Sequence, residues 1–539
     1  MAKAGAKAAD FDFHARSLAA GLAKGRMPRP TPEIERFLLD NSTEIFAAAE
    51  GVCRNMPPDG DDEVLGIAYL FLLQILLAGL NQRVRRGAKD AADLIARFQS
   101  DLAERAEAGE IDGTLLAYLG GALQQAGIAA SPELTAVSAE LGGGDGDEML
   151  PSDIVSTLDE ILKACDGDSF QVVFSFAEGG HLLPDDAKIA LAIHLVQSER
   201  PDARAAAVLF LQSGSPAVRK AAAAALVEQI STLSPVDLRR VIAMRNWRPE
   251  GERAAIDAII HKARAAGVAC ASWPKGSADT LKSSAIDGSG AQLFIATSPI
   301  DRKTKRVSTI FTRTGITEAM TSPPQPLRAV KEMMGLGIQG PLLDVSRAYV
   351  DRMVGHHLGL TIKRGEVPPA GLLQVAETIG GADWQPARLD CREVLNELIA
   401  DLPEELRDPA DVALALADSD DIFELDDIQD SWFEDDAELE QKVKSSSGRA
   451  RAKLPAKLLL NTGAIGAQRA RWAELFVMTA LWLRERPRDQ SSGWADLVVV
   501  ARAVLDGHDL GQIGLMRAIA ERTVEYLAED DDDLQDDPF

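Results

Sequence analysis

The chain has 539 residues and a formal net charge of −26, because 83 acidic residues outnumber 57 basic ones. A charge of this size repels phosphate at long range, which argues against nucleic acid as the main partner. Aromatic residues make up only 5%, and helix-favouring residues dominate most of the chain. We therefore predict a mainly α fold, a helical bundle with a short solenoid of stacked helices and a small inserted β-hairpin or meander.

The first 35 residues form a basic segment with no apolar run of the kind found in secretory signals. We expect 1–35 to be flexible and the protein to be cytoplasmic. The four cysteines Cys53, Cys165, Cys270 and Cys391 are far apart, which fits neither a disulfide framework nor a CxxC metal pair.

Residues 36–141 contain repeated amphipathic stretches and predict a helical domain. One apolar segment within it begins at Val64, ends at Leu80 and is interrupted only by Gln74. Its 17 residues lie at the lower limit for crossing a bilayer. We interpret it as a buried core helix and expect no membrane association, with a membrane span as the alternative.

A glycine-rich break follows at Gly142, Gly143, Gly144 and Gly146, where we place a domain boundary near residue 145. The neighbouring segment 145–148 (DGDE) lacks the ligand spread of a calcium loop and is interpreted as a solvated linker. Beyond it, Ser215-Pro216 and Ser234-Pro235 each place a helix-capping residue before a proline suited to the first helical turn.

We predict a helical repeat region over 150–270, in which residues 185–267 have a repeating character that is carried by the segments 201–211, 215–230 and 249–260. Each follows a short polar turn and combines an arginine with small residues. The middle segment resembles a HEAT repeat at six positions, which are Pro216, Val218, Arg219, Ala222, Ala225 and Leu226. The resemblance implies an α-solenoid whose stacked helices present an extended binding surface.

Residues 284–325 change to a β pattern. The runs 292–297 (QLFIAT) and 306–312 (RVSTIFT) are rich in β-branched residues and predict a hairpin. A lone hairpin is barely stable in water, so we expect a third strand at 315–320 or packing on helices.

Helical patterns resume over 326–400. Gly335, Gly337 and Gly340 have the spacing G-x-G-x-x-G, but they follow a helical run instead of a strand, so we interpret them as a loop. His356 and His357 are adjacent on a helix, where they cannot face one metal together, and we expect one to be buried and one exposed. The sequence therefore predicts no metal or cofactor and shows no known catalytic motif.

The strongest charge feature spans 401–457. Seventeen acidic residues and one basic residue, Arg407, lie in 401–440. A basic stretch without acids follows, with Lys442, Lys444, Arg449, Arg451, Lys453 and Lys457. The acidic part is either an interaction segment with interleaved apolar residues or a solvated, solubilising surface. Its candidate partner-binding residues are Phe423, Trp432 and Phe433, to which we add Trp384 and Arg219.

A last helical unit is predicted over 458–528, and the acidic residues 529–539 predict a disordered tail. The leading hypothesis is a non-enzymatic scaffold or regulator that binds another protein. One alternative is a nucleic-acid-binding or processing protein that uses the basic stretch and is gated by the acidic one. A third is an enzyme with a dispersed site, using groups such as His356, Asp287 or Arg313.

Overall fold

The computed structural model describes residues 2–22, 37–38, 41–56, 62–85, 87–142, 158, 160–165, 167–179, 185–334, 342–407, 409–423, 428, 431–486 and 493–528. These residues form a mainly α structure with a small antiparallel sheet, as the sequence predicted. The chain divides into two compact units: unit 1 comprises Met1–Ala206, Asp436–Glu438 and Asp531–Phe539, and unit 2 comprises Ala207–Asp435 and Leu439–Asp530. The boundary at Ala206 falls inside the predicted repeat region 150–270 and not near residue 145.

Unit 1 is helical in its described part. Its helices are α1 (Ala2–Leu22), α2 (Ile45–Asn55), α3 (Glu63–Arg85), α4 (Lys89–Glu107), α5 (Gly113–Gln125), α6 (Pro132–Gly142), α7 (Ser169–Gly179), α8 (Asp185–Gln197) and α9 (Pro201–Leu209), the last continuing into unit 2. α5 begins where Asp112 accepts a hydrogen bond from the Leu115 amide, which satisfies a free donor of the first turn.

The apolar helix α3 is the centre of this core. It packs against α1, α2, α4 and α5, and Leu72, Leu73 and Leu77 are fully buried. Among the described residues it is the one helix long and apolar enough to cross a membrane, and half of its window Val64–Val84 is buried inside the protein. The structure thus gives α3 protein neighbours on several sides.

The segment 1–35, which we expected to be flexible, is described by the structure only over residues 2–22. α1 occupies much of it, and Phe11 and Ala15 are buried against the core of unit 1. The Phe11 ring lies 6.1 Å from that of Tyr69, whose hydroxyl donates to Asp12. Burial of these apolar side chains stabilises α1, although basic and small residues surround them in the sequence.

Unit 2 begins with three helices, α10 (Pro216–Glu228), α11 (Pro235–Met244) and α12 (Arg253–Ala265). Both predicted helix starts are confirmed, since Ser215 accepts from the Val218 amide and Ser234 from the Asp237 amide. α12 packs on both α10 and α11.

The predicted hairpin belongs to a five-stranded antiparallel sheet in the order β4-β3-β2-β1-β5. The strands are β1 (Thr280–Ser283), β2 (Gln292–Ile300), β3 (Lys303–Thr312), β4 (Gly315–Thr321) and β5 (Leu343–Asp344). The hairpin strands are longer than predicted and meet at a tight turn in which Asp301 has a φ of 53°. The third strand is confirmed as β4, whereas β1 and β5 were not predicted because they are too short to show a period.

Helices cover this sheet and continue to the end of the described chain. They are α13 (Leu327–Met334), α14 (Arg347–Lys363), α15 (Gly371–Ile379), α16 (Cys391–Ala400), α17 (Pro409–Ala417), α18 (Ala437–Lys444), α19 (Gly448–Arg451), α20 (Leu454–Leu458), α21 (Arg469–Leu483), α22 (Trp494–Leu505) and α23 (Gly514–Ala528). α14 and α15 pack on the sheet, while α21 and α22 form the largest helix pair of the C-terminal part.

Candidate functional site

An acidic surface lies on α17 and the 3-10 turn that follows it. The buried side chains of Leu416, Ile422 and Phe423 fix this segment to the protein, and the Ser419 hydroxyl accepts a hydrogen bond from the Leu515 amide at 2.9 Å. The opposite side is exposed. We define the acidic surface by its exposed residues Asp411, Leu414, Asp418, Asp420 and Asp421, of which Leu414 is 62% exposed.

A basic surface lies on α18 to α20. Val443, Leu454 and Leu458 are buried and anchor these short helices, so that the cations between them point into solvent. We define the basic surface by its exposed residues Lys442, Arg449, Lys453, Lys457 and Leu460, of which Leu460 is 58% exposed.

These two surfaces do not neutralise each other. Lys444 pairs with Glu440 at 3.0 Å, and the Arg451 Nε donates to the Ser446 carbonyl at 2.9 Å. Within the described ranges, no ion pair involves any cation of the basic surface or joins it to the acidic surface. The basic stretch is therefore a locally positive surface on a strongly negative chain.

Two of the predicted aromatic anchors of the acidic segment, Trp432 and Phe423, are buried, and Phe433 is half-buried. The Trp432 side chain is fully buried, its Nε1 donates to the Ile286 carbonyl at 2.9 Å, and its ring lies 5.4 Å from that of Phe476. Phe433 stacks on Tyr526 with ring centroids 3.8 Å apart. Phe423 is also buried. These residues hold the polar segment onto its own domain.

Trp384 and Arg219, the other two candidate partner-binding residues, also have partners within the protein. Trp384 is buried, and its Nε1 donates to the Asp351 carboxylate at 2.6 Å. Arg219 forms a two-point ion pair with Glu252 and donates to the Ser213 carbonyl at 2.8 Å. The Trp384–Asp351 and Arg219–Glu252 contacts each join residues 33 positions apart in the sequence, and local sequence patterns do not reveal contacts of that separation.

Glu434 and Arg471 form a largely buried ion pair at the start of α21. Glu434 also accepts from the Trp472 Nε1 at 2.9 Å, and Arg471 donates to the Gly288 carbonyl in the loop before β2. Burial raises the pKa of the Glu434 carboxyl, although Arg471 and Trp472 act in the opposite direction, and burial lowers the pKa of the Arg471 guanidinium. The pair ties the sheet to α21.

A cleft of about 300 Å³ lies between α14 and the loop after α15. Three of the polar side chains that line it bond one another. Arg347 donates to Asp351 at 2.7 Å and to the carbonyls of Ile379 and Gly380, while Asp351 also accepts from Trp384. In the described part of the chain, no group of three His, Cys, Asp or Glu side chains could hold a metal ion.

The residues named for a dispersed enzyme site occupy different environments. His356 and His357 are both buried, contrary to the expectation that one would be exposed, and burial lowers their pKa to about 4 and about 3. His356 accepts from the Leu389 amide at 3.0 Å. Asp287 caps its own loop by accepting from the Ala291 amide, and among the described residues no hydrogen bond joins it to His356.

Three sequence predictions lie outside the described residues. They are the glycine motif of Gly335, Gly337 and Gly340, the linker 145–148 and the tail 529–539.

Two stretches of this mainly α chain match known family models. Residues 392–528, which include both charged surfaces, are similar to the Y4lR C-terminal helical domain. Residues 184–267, which include the HEAT-like segments, are similar to the Y4lR second domain. No curated protein and no solved structure matches the chain.

Proposed function

We propose that the chain is a non-enzymatic helical scaffold or regulator that binds another protein. The observation that carries this proposal is the pair of exposed surfaces of opposite charge, each with one exposed leucine. Charges that form no ion pair with another described residue are available to steer and select a binding partner. An exposed leucine adds apolar area that a partner can remove from water.

The cleft and the buried polar groups support the same proposal. Two charged groups of the cleft, Arg347 and Asp351, bond one another, and a third, Arg352, pairs with Glu397. A site for chemistry needs a positioned nucleophile, acid or base facing a substrate.

The test is capture of protein partners on the tagged full-length chain. We expect defined partners at low salt that are lost in the variant K442E/R449E/K453E, in D411K/D418K/D421K, or in both. The control K220E/K262E/R264E reverses three exposed cations elsewhere and should capture the same partners. Equal capture by all variants would contradict the proposal.

A second candidate is nucleic-acid binding by the basic stretch, favoured by the exposure of Lys442, Lys444, Arg449, Lys453 and Lys457. Phosphate neutralisation of this kind makes the affinity fall steeply with salt. A fluorescent duplex and a single strand, titrated at low salt, would show binding that K442E/R449E/K453E abolishes. No binding at low salt would remove this candidate.

A further inference from the structure

We infer that one protein partner is a second copy of this chain, with the basic surface of one copy docked on the acidic surface of the next. This inference rests on the proposed function and names a partner for it.

The two surfaces are complementary in charge and in apolar content. The acidic surface offers four carboxylates, on Asp411, Asp418, Asp420 and Asp421, and the basic surface offers four cations. Each surface also exposes one leucine to a similar extent, Leu414 at 62% and Leu460 at 58%. A contact between copies would pair the charges and remove both leucines from water.

One copy does not satisfy this complementarity by itself. Both surfaces contact the same helix α23. The acidic surface does so through the hydrogen bond that the Leu515 N–H donates to the Ser419 hydroxyl, and the basic surface through the packing of α20. Their buried anchors fix them in place, and no ion pair joins them in the described part of the chain. A second copy can bring the two together.

The net charge of −26 makes the strength of this contact depend on salt. Two copies repel at long range, but salt screens that repulsion over about 8 Å at physiological ionic strength, so the local attraction acts at contact. The contact joins two different surfaces, so each copy can contact more than one other copy. We expect weak association that rises with protein concentration and falls at high salt.

The experiment is sedimentation velocity on the full-length chain and two variants. The acid-reversed variant is D411K/D418K/D421K, and the base-reversed variant is K442E/R449E/K453E. We expect the unmodified chain to associate with concentration, and each variant alone to stay monomeric. An equimolar mixture should associate again, because each variant supplies an intact surface that is complementary to one on the other variant.

The leucines give a second readout that leaves all charges in place. L414A and L460A should each weaken association about tenfold, the effect of losing most of a buried leucine side chain. L327A changes a leucine that is 47% exposed on α13 and should leave association unchanged. Because every substituted side chain is exposed, circular dichroism should show unaltered folding.

An unmodified chain that stays monomeric at every concentration and salt, or a mixture that stays monomeric, overturns the inference. If that monomeric chain still captures a different protein through the same surfaces, the proposed function stands without self-association. If it captures none, both fail.

Discussion

The buried pair of Glu434 and Arg471 makes a sharp prediction about stability. Replacing Glu434 with Gln leaves the Arg471 guanidinium buried without a carboxylate, and replacing Arg471 with Met leaves the carboxylate without its cation. Breaking a buried ion pair from one side costs about 3–5 kcal/mol. We therefore expect each single variant, E434Q or R471M, to lower the free energy of unfolding of unit 2 by that amount.

The double variant E434Q/R471M should recover much of the loss. Its glutamine oxygen can still accept from the Trp472 indole, and no charge remains buried at this position. The Gly288 carbonyl loses the hydrogen bond that Arg471 donates, which lowers the free energy of unfolding by about 1–3 kcal/mol. The double variant is thus expected to be more stable than either single variant.

Urea unfolding followed by tryptophan fluorescence measures these differences, because Trp432 and Trp472 lie beside the pair. The reasoning fails if either single variant loses less than about 1 kcal/mol, or if the double variant loses the sum of the two.

Three further predictions concern other buried groups. Leu72→Asn should lower the free energy of unfolding by about 3 kcal/mol, because this side chain is fully buried, whereas Ile67→Asn on the exposed side of α3 should change it by about 0.5 kcal/mol or less. Glu252→Gln should cost about 3 kcal/mol, since this carboxylate pairs with two buried arginines, while Asp257→Asn in an exposed pair should cost less than about 1 kcal/mol. Stability should also fall as the pH drops from 6.5 towards 4, because the unfolded chain then takes up protons that buried His357 does not, and His357→Phe should reduce this dependence.

Specific results would contradict each of these. Equal effects of the two asparagine variants would mean that both sides of α3 have the same surroundings. Equal effects at Glu252 and Asp257 would mean that burial does not strengthen the first pair. If His261→Phe, at an exposed position, reduced the acid sensitivity as much as His357→Phe, the buried histidine would not be its source.

Much of the fold could be predicted because its signals are local. The helix starts at Ser215 and Ser234 depend on residues three positions apart, and the hairpin depends on two adjacent β-prone runs. β1 and β5 depend on distant partners, since β1 pairs with β2 on one side and with β5 on the other. Short strands defined by such pairing leave little trace in the sequence.

The candidate site was predicted only in part. The charge of the segments 401–440 and 441–457 could be counted from the sequence, and the structure shows which of these charges are exposed. The burial of Trp432 could not be predicted. Its indole N–H donates to the carbonyl of Ile286, which is 146 residues away, and its sequence neighbours are polar. Polar neighbours suggested an exposed anchor where long-range packing produced a core residue.

The central claim is that the two charged surfaces are covered by protein in the working state. Lysine acetylation footprinting of the full-length chain, compared between dilute purified protein and extract at low salt, tests it most directly. The account predicts that Lys442, Lys453 and Lys457 lose reactivity in extract while Lys220 and Lys262 keep it. Equal reactivity of all five lysines under both conditions would contradict the account.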